Sequence, residues 1–418
     1  MTAGGWRKIA RVGARVAVAA AFFVRWRRGG QAASATVVAR IESPLDPAKA
    51  FGPPPEAGLA AAARAIAEGC TECQACVKGC AFLQKSGTPK AIAATLTTGN
   101  GPATADPYQC SLCNLCTAVC PEGLAPGAMF LAMRRQAAAR QAVDLARYHV
   151  ILGYEARGHS KLFAWQGLPP GCRTVFFPGC TLPGTRPKLV RRMFTHLESQ
   201  IPDLGIVLDC CHKPSHDLGR QEYFERTFGP LRDRLVAAGV RRVLTACPNC
   251  HKIFSQYGGE IEARTVWQQL LEQGLPPAPP VSGAVVIHDP CPLRAESEVQ
   301  AAARALIAAT GLTVEKTRSE GPRTLCCGEG GSVGFIDPAP ARAWGARRVE
   351  LAAGRPVVTY CAGCAGFLSR AGARVAHLGD LIFEPRTAMN GGSKVAKAPF
   401  TYLNRLRLKN WFKRTLAA

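Results

Sequence analysis

The sequence predicts a helical domain followed by an α/β unit that occurs twice, its halves facing each other across a pseudo-twofold axis. Three observations carry this. Two four-cysteine motifs of identical spacing lie between helix-forming stretches. From about Thr174, short apolar runs ending in cysteine alternate with helical segments, the texture of a parallel sheet. The cysteines of that second region recur at intervals of 111 to 116 positions, which marks an internal repeat.

The chain has 418 residues and 47% hydrophobic content, enough for two or three domains with their own cores. Residues 1–55 read as a basic amphipathic tail and linker. Arg7, Lys8, Arg11, Arg15, Arg25, Arg27 and Arg28 fall in the first 30 positions with no acid. The apolar run at 16–24 is shorter than the roughly 20 residues a membrane span needs. The bases directly behind it argue against a cleaved leader. Residues 390–418 form a second basic tail, in which Leu403, Leu406, Trp411, Phe412 and Leu416 are interleaved with seven bases. Both tails suit an anionic membrane surface, with packing on a partner subunit as the other reading. Together they hold fourteen of the net +23 charges, so the body is only mildly basic. With no aromatic binding platform, a nucleic-acid partner is not expected.

The helical domain is expected over 56–150. Residues 57–68 are alanine-rich and lead to Cys70; Pro126 opens a helix expected to run to about Tyr148. Between them stand Cys70-Thr-Glu-Cys73-Gln-Ala-Cys76-Val-Lys-Gly-Cys80 and Cys110-Ser-Leu-Cys113-Asn-Leu-Cys116-Thr-Ala-Val-Cys120-Pro121. Both read C-x2-C-x2-C-x3-C, the bacterial ferredoxin spacing, in which the fourth cysteine ligates the other cluster. The expected ligand sets are Cys70, Cys73, Cys76 and Cys120 for one [4Fe–4S] cluster. Cys110, Cys113, Cys116 and Cys80 are expected on the other. Ala81 stands where proline usually follows the first quartet. Structural zinc is the weaker reading, because zinc sites favour paired C-x2-C units separated by a longer loop.

The α/β halves are expected over 174–275 and 284–385. Val175-Phe-Phe-Pro-Gly-Cys180 matches Val286-Ile-His-Asp-Pro-Cys291. Leu208-Asp-Cys210-Cys211 matches Thr324-Leu-Cys326-Cys327. Val243-Leu-Thr-Ala-Cys247-Pro-Asn-Cys250 matches Val357-Val-Thr-Tyr-Cys361-Ala-Gly-Cys364. The cysteine loops should sit at the carboxyl ends of strands, where such folds place ligands. Adjacent cysteines point apart and cannot easily share one tetrahedral ion, yet they can reach different irons of a multinuclear cluster.

This pattern resembles the cysteine-rich CCG domain. Ferredoxin quartets followed by two such domains resemble the heterodisulfide reductase D subunit over roughly residues 60–385. The iron–sulfur subunits of glycolate oxidase and anaerobic glycerol-3-phosphate dehydrogenase share the layout. His288-Asp-Pro-Cys291, Cys327-Gly328-Glu-Gly-Gly331 and His377-Leu-Gly-Asp-Leu381 are smaller echoes. The resemblance implies a helical dicluster ferredoxin followed by a duplicated CCG pair. It also implies one or two further, non-cubane [4Fe–4S] clusters. By position, the implied ligands are Cys180, Cys210, Cys211, Cys247 and Cys250 in the first half. In the second half they are Cys291, Cys326, Cys327, Cys361 and Cys364, the expected catalytic set. The first half departs at His212, where the signature has glycine, as Gly328 does in the second. Zinc or an inactive scaffold is the alternative for the CCG-like halves.

Eighteen of the nineteen cysteines are thus assigned, leaving Cys172 as a structural thiol. An odd count with no secretory signal points to reduced thiolates in a reducing cytoplasm. His212, His251 and His288 abut these cysteines and read as hydrogen-bonding neighbours, with proton delivery as the sharper role. The Gly328–Gly331 run is weak as a phosphate motif. The expected function is that of an iron–sulfur oxidoreductase subunit, delivering electrons through the quartets to a CCG-type site for thiol–disulfide or related chemistry. The alternative is an electron relay from a flavoprotein dehydrogenase of a 2-hydroxy acid or glycerol phosphate to membrane quinone. The expected partners are a flavoprotein dehydrogenase or a membrane redox subunit. The expected location is cytoplasmic, peripheral on the inner face of the membrane.

Overall fold

A computed structural model of the protein describes residues 58–98 and 105–416. The basic segment at 1–30, its apolar run and the linker at 31–55 lie outside the described residues. No described helix is long and apolar enough to cross a membrane.

The first part is helical, with no strand among the described residues before Trp165. Helices Leu59–Gly69, Pro89–Thr98 and Pro126–Ala139 bracket the cysteine loops. Ala63, Ile66, Ile92, Ala93, Met129, Phe130 and Met133 make their common core. Phe82 meets Phe130 edge-on at 5.1 Å. The helix opened by Pro126 stops at Ala139, short of the expected Tyr148. Gln141 turns left-handed at φ 54°, and the Ala142 amide closes back on the Ala137 carbonyl at 2.9 Å, a helix-terminating pattern. Asp144 then caps a short turn, Leu145–Tyr148, and a separate helix, His149–His159, sets off towards the α/β body.

That body contains two sheets. The first comprises β1 (Trp165–Gly167), β2 (Thr174–Phe177), β3 (Gly205–Leu208), β4 (Arg242–Thr245) and β5 (Glu262–Thr265). Its spatial order is β1-β3-β2-β4-β5. The second comprises β6 (Ala284–His288), β7 (Thr313–Glu315), β8 (Val357–Thr359) and β9 (Val375–His377), in the order β7-β6-β8-β9. Every neighbouring pair is parallel except β1 on β3. β1, three residues long, has no periodicity that a sequence reading could detect. Without it, each sheet runs second–first–third–fourth strand.

β2, β3, β4, β6 and β8 each end two or three positions before Cys180, Cys210, Cys247, Cys291 and Cys361. The Cys326–Cys327 pair breaks the expected pattern of strands ending in cysteine. β7 ends at Glu315, and a loop with a short turn at Gly321–Arg323 intervenes. One buried cluster joins Phe176, Ile206 and Leu244 of the first sheet with Val285, Ile287 and Val358 of the second, through Trp267 and Leu306 on the connecting helices.

The carboxyl-terminal segment is not a free tail. Phe400–Thr415 is a helix with Leu408 and Phe412 fully buried. Phe412 meets Phe194 edge-on at 4.8 Å. Lys409 donates to the carbonyls of Lys161, Leu162 and Ala164 at 2.7 to 3.0 Å. The amphipathic pattern expected to face a membrane is used largely on this chain's own core. Leu403 remains exposed.

Candidate iron–sulfur centres

The two quartets adopt the same backbone. Positions two and four after the first cysteine are left-handed in each, Glu72 and Gln74 at φ 56° and 64°, Leu112 and Asn114 at 49° and 56°. Repeated left-handed turns fold the loop into a cup and turn its amides inward. The thiols then sort across the two motifs. Burial pushes Cys76 up to about 11, reinforced by Cys70, Cys120 and Cys73. Burial pushes Cys80 up to about 11 as well, reinforced most by Cys113. Cys116 and Cys110 are raised by burial and by each other's neighbourhood, which includes Cys80. Cys120 feels Cys73 and Cys70. The fourth cysteine of each motif therefore sits with the other motif's first three.

Sulfurs so placed resist ionisation unless a cationic core joins them, because a buried anion without a partner is costly. Backbone amides already point at them: Leu112 N–H donates to Cys110 Sγ at 3.4 Å. Amides of Glu122 and Leu124 favour the Cys120 thiolate. This donor set fits [4Fe–4S] clusters. The first group lies nearer solvent, with Cys73 exposed, whereas Cys110 and Cys116 are buried.

Each α/β half also gathers its five cysteines. In the first, the Cys210 thiol hydrogen-bonds to Cys180, and that of Cys250 to Cys211 and Cys247. In the second, Cys326 accepts hydrogen bonds from Cys291 and Cys327, while Cys364 hydrogen-bonds with Cys327 and Cys361. The Cys327 and Cys364 sulfurs are 3.3 Å apart. Thiol hydrogen bonds from Cys291 and Cys327 hold Cys326 well below the usual thiol range. The Gly328 amide adds a bond at 3.3 Å. All nineteen cysteines are free thiols. Cys172 stands apart, its Sγ donating to the Thr174 carbonyl at 3.3 Å.

The second quartet abuts the second half. Cys113 packs on the small buried group of Cys326, Val333 and Trp344, and its thiolate raises the Cys291 thiol further. The glycine run explains the closeness. A Cβ on Gly330 would lie 2.5 Å from the Ser111 carbonyl and 3.3 Å from Cys326 Sγ; one on Gly331 would lie 2.5 Å from the Cys110 carbonyl. The run is where backbone meets backbone, rather than a phosphate cradle. Two arginines fix the junction. Arg134, fully buried, donates to the carbonyls of Pro107, Cys110, Asp217 and Gly331. Arg294 donates to those of Cys113, Pro322 and Thr324.

Among the histidines, His288 stands within 4.8 Å of Cys327 and Cys364 ligand atoms. Burial, then the Arg348 guanidinium, lowers it to about 3. His251 contacts Thr245 Oγ1 at 3.3 Å. His212 lies beside Cys210 and Glu155. Glu329, whose carboxylate lies within 4.8 Å of the Cys361 and Cys364 sulfurs, is raised to about 7 by burial and then by the charges of Cys326 and Cys180. Arg134, Arg294, Glu155 and Glu329 were not singled out from the sequence. A buried arginine in a helical stretch looks like any surface base until its carbonyl partners are known.

These centres and their setting define an iron–sulfur electron-transfer protein. Residues 66–124 match the family model described as a 4Fe-4S dicluster domain. Residues 285–369 match the one described as a cysteine-rich domain, CCG. Over 142 residues, 30% of this chain, it is 31% identical to a protein of Chromohalobacter salexigens described as a probable membrane-anchored ferredoxin. The aligned part spans 21% of that relative's length.

Proposed function

We propose that the chain is the iron–sulfur subunit of an oxidoreductase, conducting electrons between the two quartets and a [4Fe–4S] site in the second half. The observation that carries this is Cys113 packed against Cys326 and electrostatically felt by Cys291. Iron–sulfur clusters bound here would supply one-electron transfer. Cys70, Cys73, Cys76 and Cys120 would hold the outer one, and Cys80, Cys110, Cys113 and Cys116 the inner one. Cys291, Cys326, Cys327, Cys361 and Cys364 would hold a third, of the non-cubane CCG type. His288 and Glu329 stand beside its sulfurs, and Glu329, raised to about 7, is the proton carrier. Reduction of a disulfide or a related acceptor is the chemistry that adjacent thiolates and a proton donor suit. The shared strand order supports descent of both halves from one duplicated CCG unit related by a pseudo-twofold axis.

The test is anaerobic purification followed by EPR and Mössbauer spectroscopy. Cys326→Ser is expected to remove one species and leave two cubane signals. A variant that keeps every signal and its full iron content sinks the third site.

A second reading is favoured by the relative's description as membrane-anchored: a relay between a flavoprotein dehydrogenase and membrane quinone, on the cytoplasmic face. Copurification of a flavoprotein, with no thiol–disulfide activity in the isolated chain, selects it. Deleting residues 1–30 would then release the protein from anionic liposomes.

A further inference from the structure

His212 occupies a position that the second half reserves for glycine. Its counterpart Gly328 could not carry a side chain, because a Cβ there would lie 2.3 Å from the Ala341 carbonyl. In the first half the backbone is left-handed at φ 56°, ψ 25°, and the imidazole is accommodated with no exposure to solvent. Neither ring nitrogen makes a hydrogen bond. A buried imidazole with both nitrogens unpartnered is costly, because each ring nitrogen has given up its bond to water without a replacement. Something should satisfy it.

What faces it is a set of ligand atoms. Glu155, 1% exposed, comes from the His149–His159 helix, outside the repeat altogether. Its Oε1 is 3.3 Å from His212 Nδ1, yet the two are out of line for a hydrogen bond. Ser215 orients the carboxylate, its Oγ donating to Oε2 at 2.6 Å and its amide to Oε1 at 3.3 Å. The Cys210 sulfur completes the group, and these three ligand atoms all lie within 4.8 Å of one another. Behind them His159 pairs with Asp209 at 2.8 Å, and that pair too converges on His212 within the same distance.

We propose that the first half binds one divalent transition-metal ion, zinc or ferrous iron, through His212, Cys210 and Glu155. The charges support it: one thiolate and one carboxylate neutralise a doubly charged ion, so the buried site is neutral overall. A nitrogen–sulfur–oxygen donor set suits ions of borderline softness rather than magnesium or calcium. Three protein ligands leave a fourth position open to water or a neighbouring thiolate. Two metal-binding halves therefore diverge in chemistry. Glycine, pressed against the Ala341 carbonyl, gives the second half no side-chain donor at this position, and histidine converts the first into a single-ion site. The inference does not depend on the cluster proposed for the second half.

The test uses the full chain, isolated without oxygen. X-ray absorption at the zinc edge, or a high-spin ferrous Mössbauer doublet distinct from clusters, should reveal an ion with mixed nitrogen, oxygen and sulfur neighbours. The first result names zinc and the second iron. Glu155→Gln and His212→Asn should each lose that ion while the Cys326-dependent species and the cubane signals persist. A zinc shell of sulfur alone, or absence of both signatures in the wild-type protein, overturns the proposal. So does full retention of the ion in both variants. If either variant misfolds, the wild-type spectra decide. Loss of the Cys326-dependent species in Cys326→Ser leaves this result unaffected.

Discussion

The Arg294 side chain, three residues past Cys291, donates its Nε–H to the carbonyl of Cys113 at 3.0 Å. This bond ties the second ferredoxin loop to the second cysteine-rich site through a guanidinium that is 1% exposed. Removing it strands three buried carbonyls. Arg294→Met is expected to lower the unfolding free energy by about 2–4 kcal/mol, since buried hydrogen bonds to charged groups are the costly ones. Denaturant titration reads that loss. Stopped-flow reduction should show delayed appearance of the Cys326-dependent signal. An unchanged midpoint and unchanged kinetics would remove Arg294 from the junction.

Gly331 makes the same junction from the other side. Its φ of 60° and the Cys110 carbonyl, 2.5 Å from any added Cβ, act together. Gly331→Ala should cost about 2–4 kcal/mol, strain and overpacking combined. Gly354, also left-handed but with nothing near it, supplies the control. Gly354→Ala should cost only about 1–2 kcal/mol from backbone conformation. Equal losses in the two variants would show that close approach at Gly331 is unimportant.

The terminal helix predicts a different response. Phe412→Ala should destabilise the α/β body by about 3–5 kcal/mol, the range for a buried aromatic truncated to alanine. Thermal or denaturant unfolding checks this. A loss below about 1 kcal/mol would mean that the helix is loosely held and free to serve another surface.

A pH effect follows from His216, buried against Phe224 and Tyr257. Burial, partly opposed by the Asp217 carboxylate, lowers it to about 4 from its ordinary 6.5. The folded state keeps this imidazole neutral where the unfolded chain protonates it. Stability should therefore fall as pH drops from 6.5 towards 4, by up to about 1.4 kcal/mol per unit. His216→Gln should reduce the stability difference between pH 7 and pH 5 by about 2 kcal/mol. Parallel pH curves for the variant and the wild-type protein would contradict the assignment.

Local spacing made the chemistry legible before any fold was known. Thiolates that wrap one cluster must follow one another at short fixed steps, so both quartets could be read directly from Cys70–Cys80 and Cys110–Cys120. The parallel sheets were legible for a related reason: β2, β4, β6 and β8 each join an apolar run to a cysteine loop. The break at Gln141 and the brief β1 escaped notice, because a single left-handed residue and a three-residue edge strand leave no periodic trace. Composition likewise suggested a basic tail facing a membrane or a partner where Phe412 and Lys409 are docked on this chain's own body. An amphipathic helix has the same pattern whether its apolar face meets lipid or its own core. Only the tertiary structure placed Cys113 against Cys326 and Cys291, Arg134 across four backbone carbonyls, and Glu155 opposite His212. Those relationships join residues far apart in the chain, and their cause is packing: glycines that allow backbones to meet, and buried cations and imidazoles that must find partners. The sequence by itself determined which atoms could bind iron; the fold decided which of them stand together.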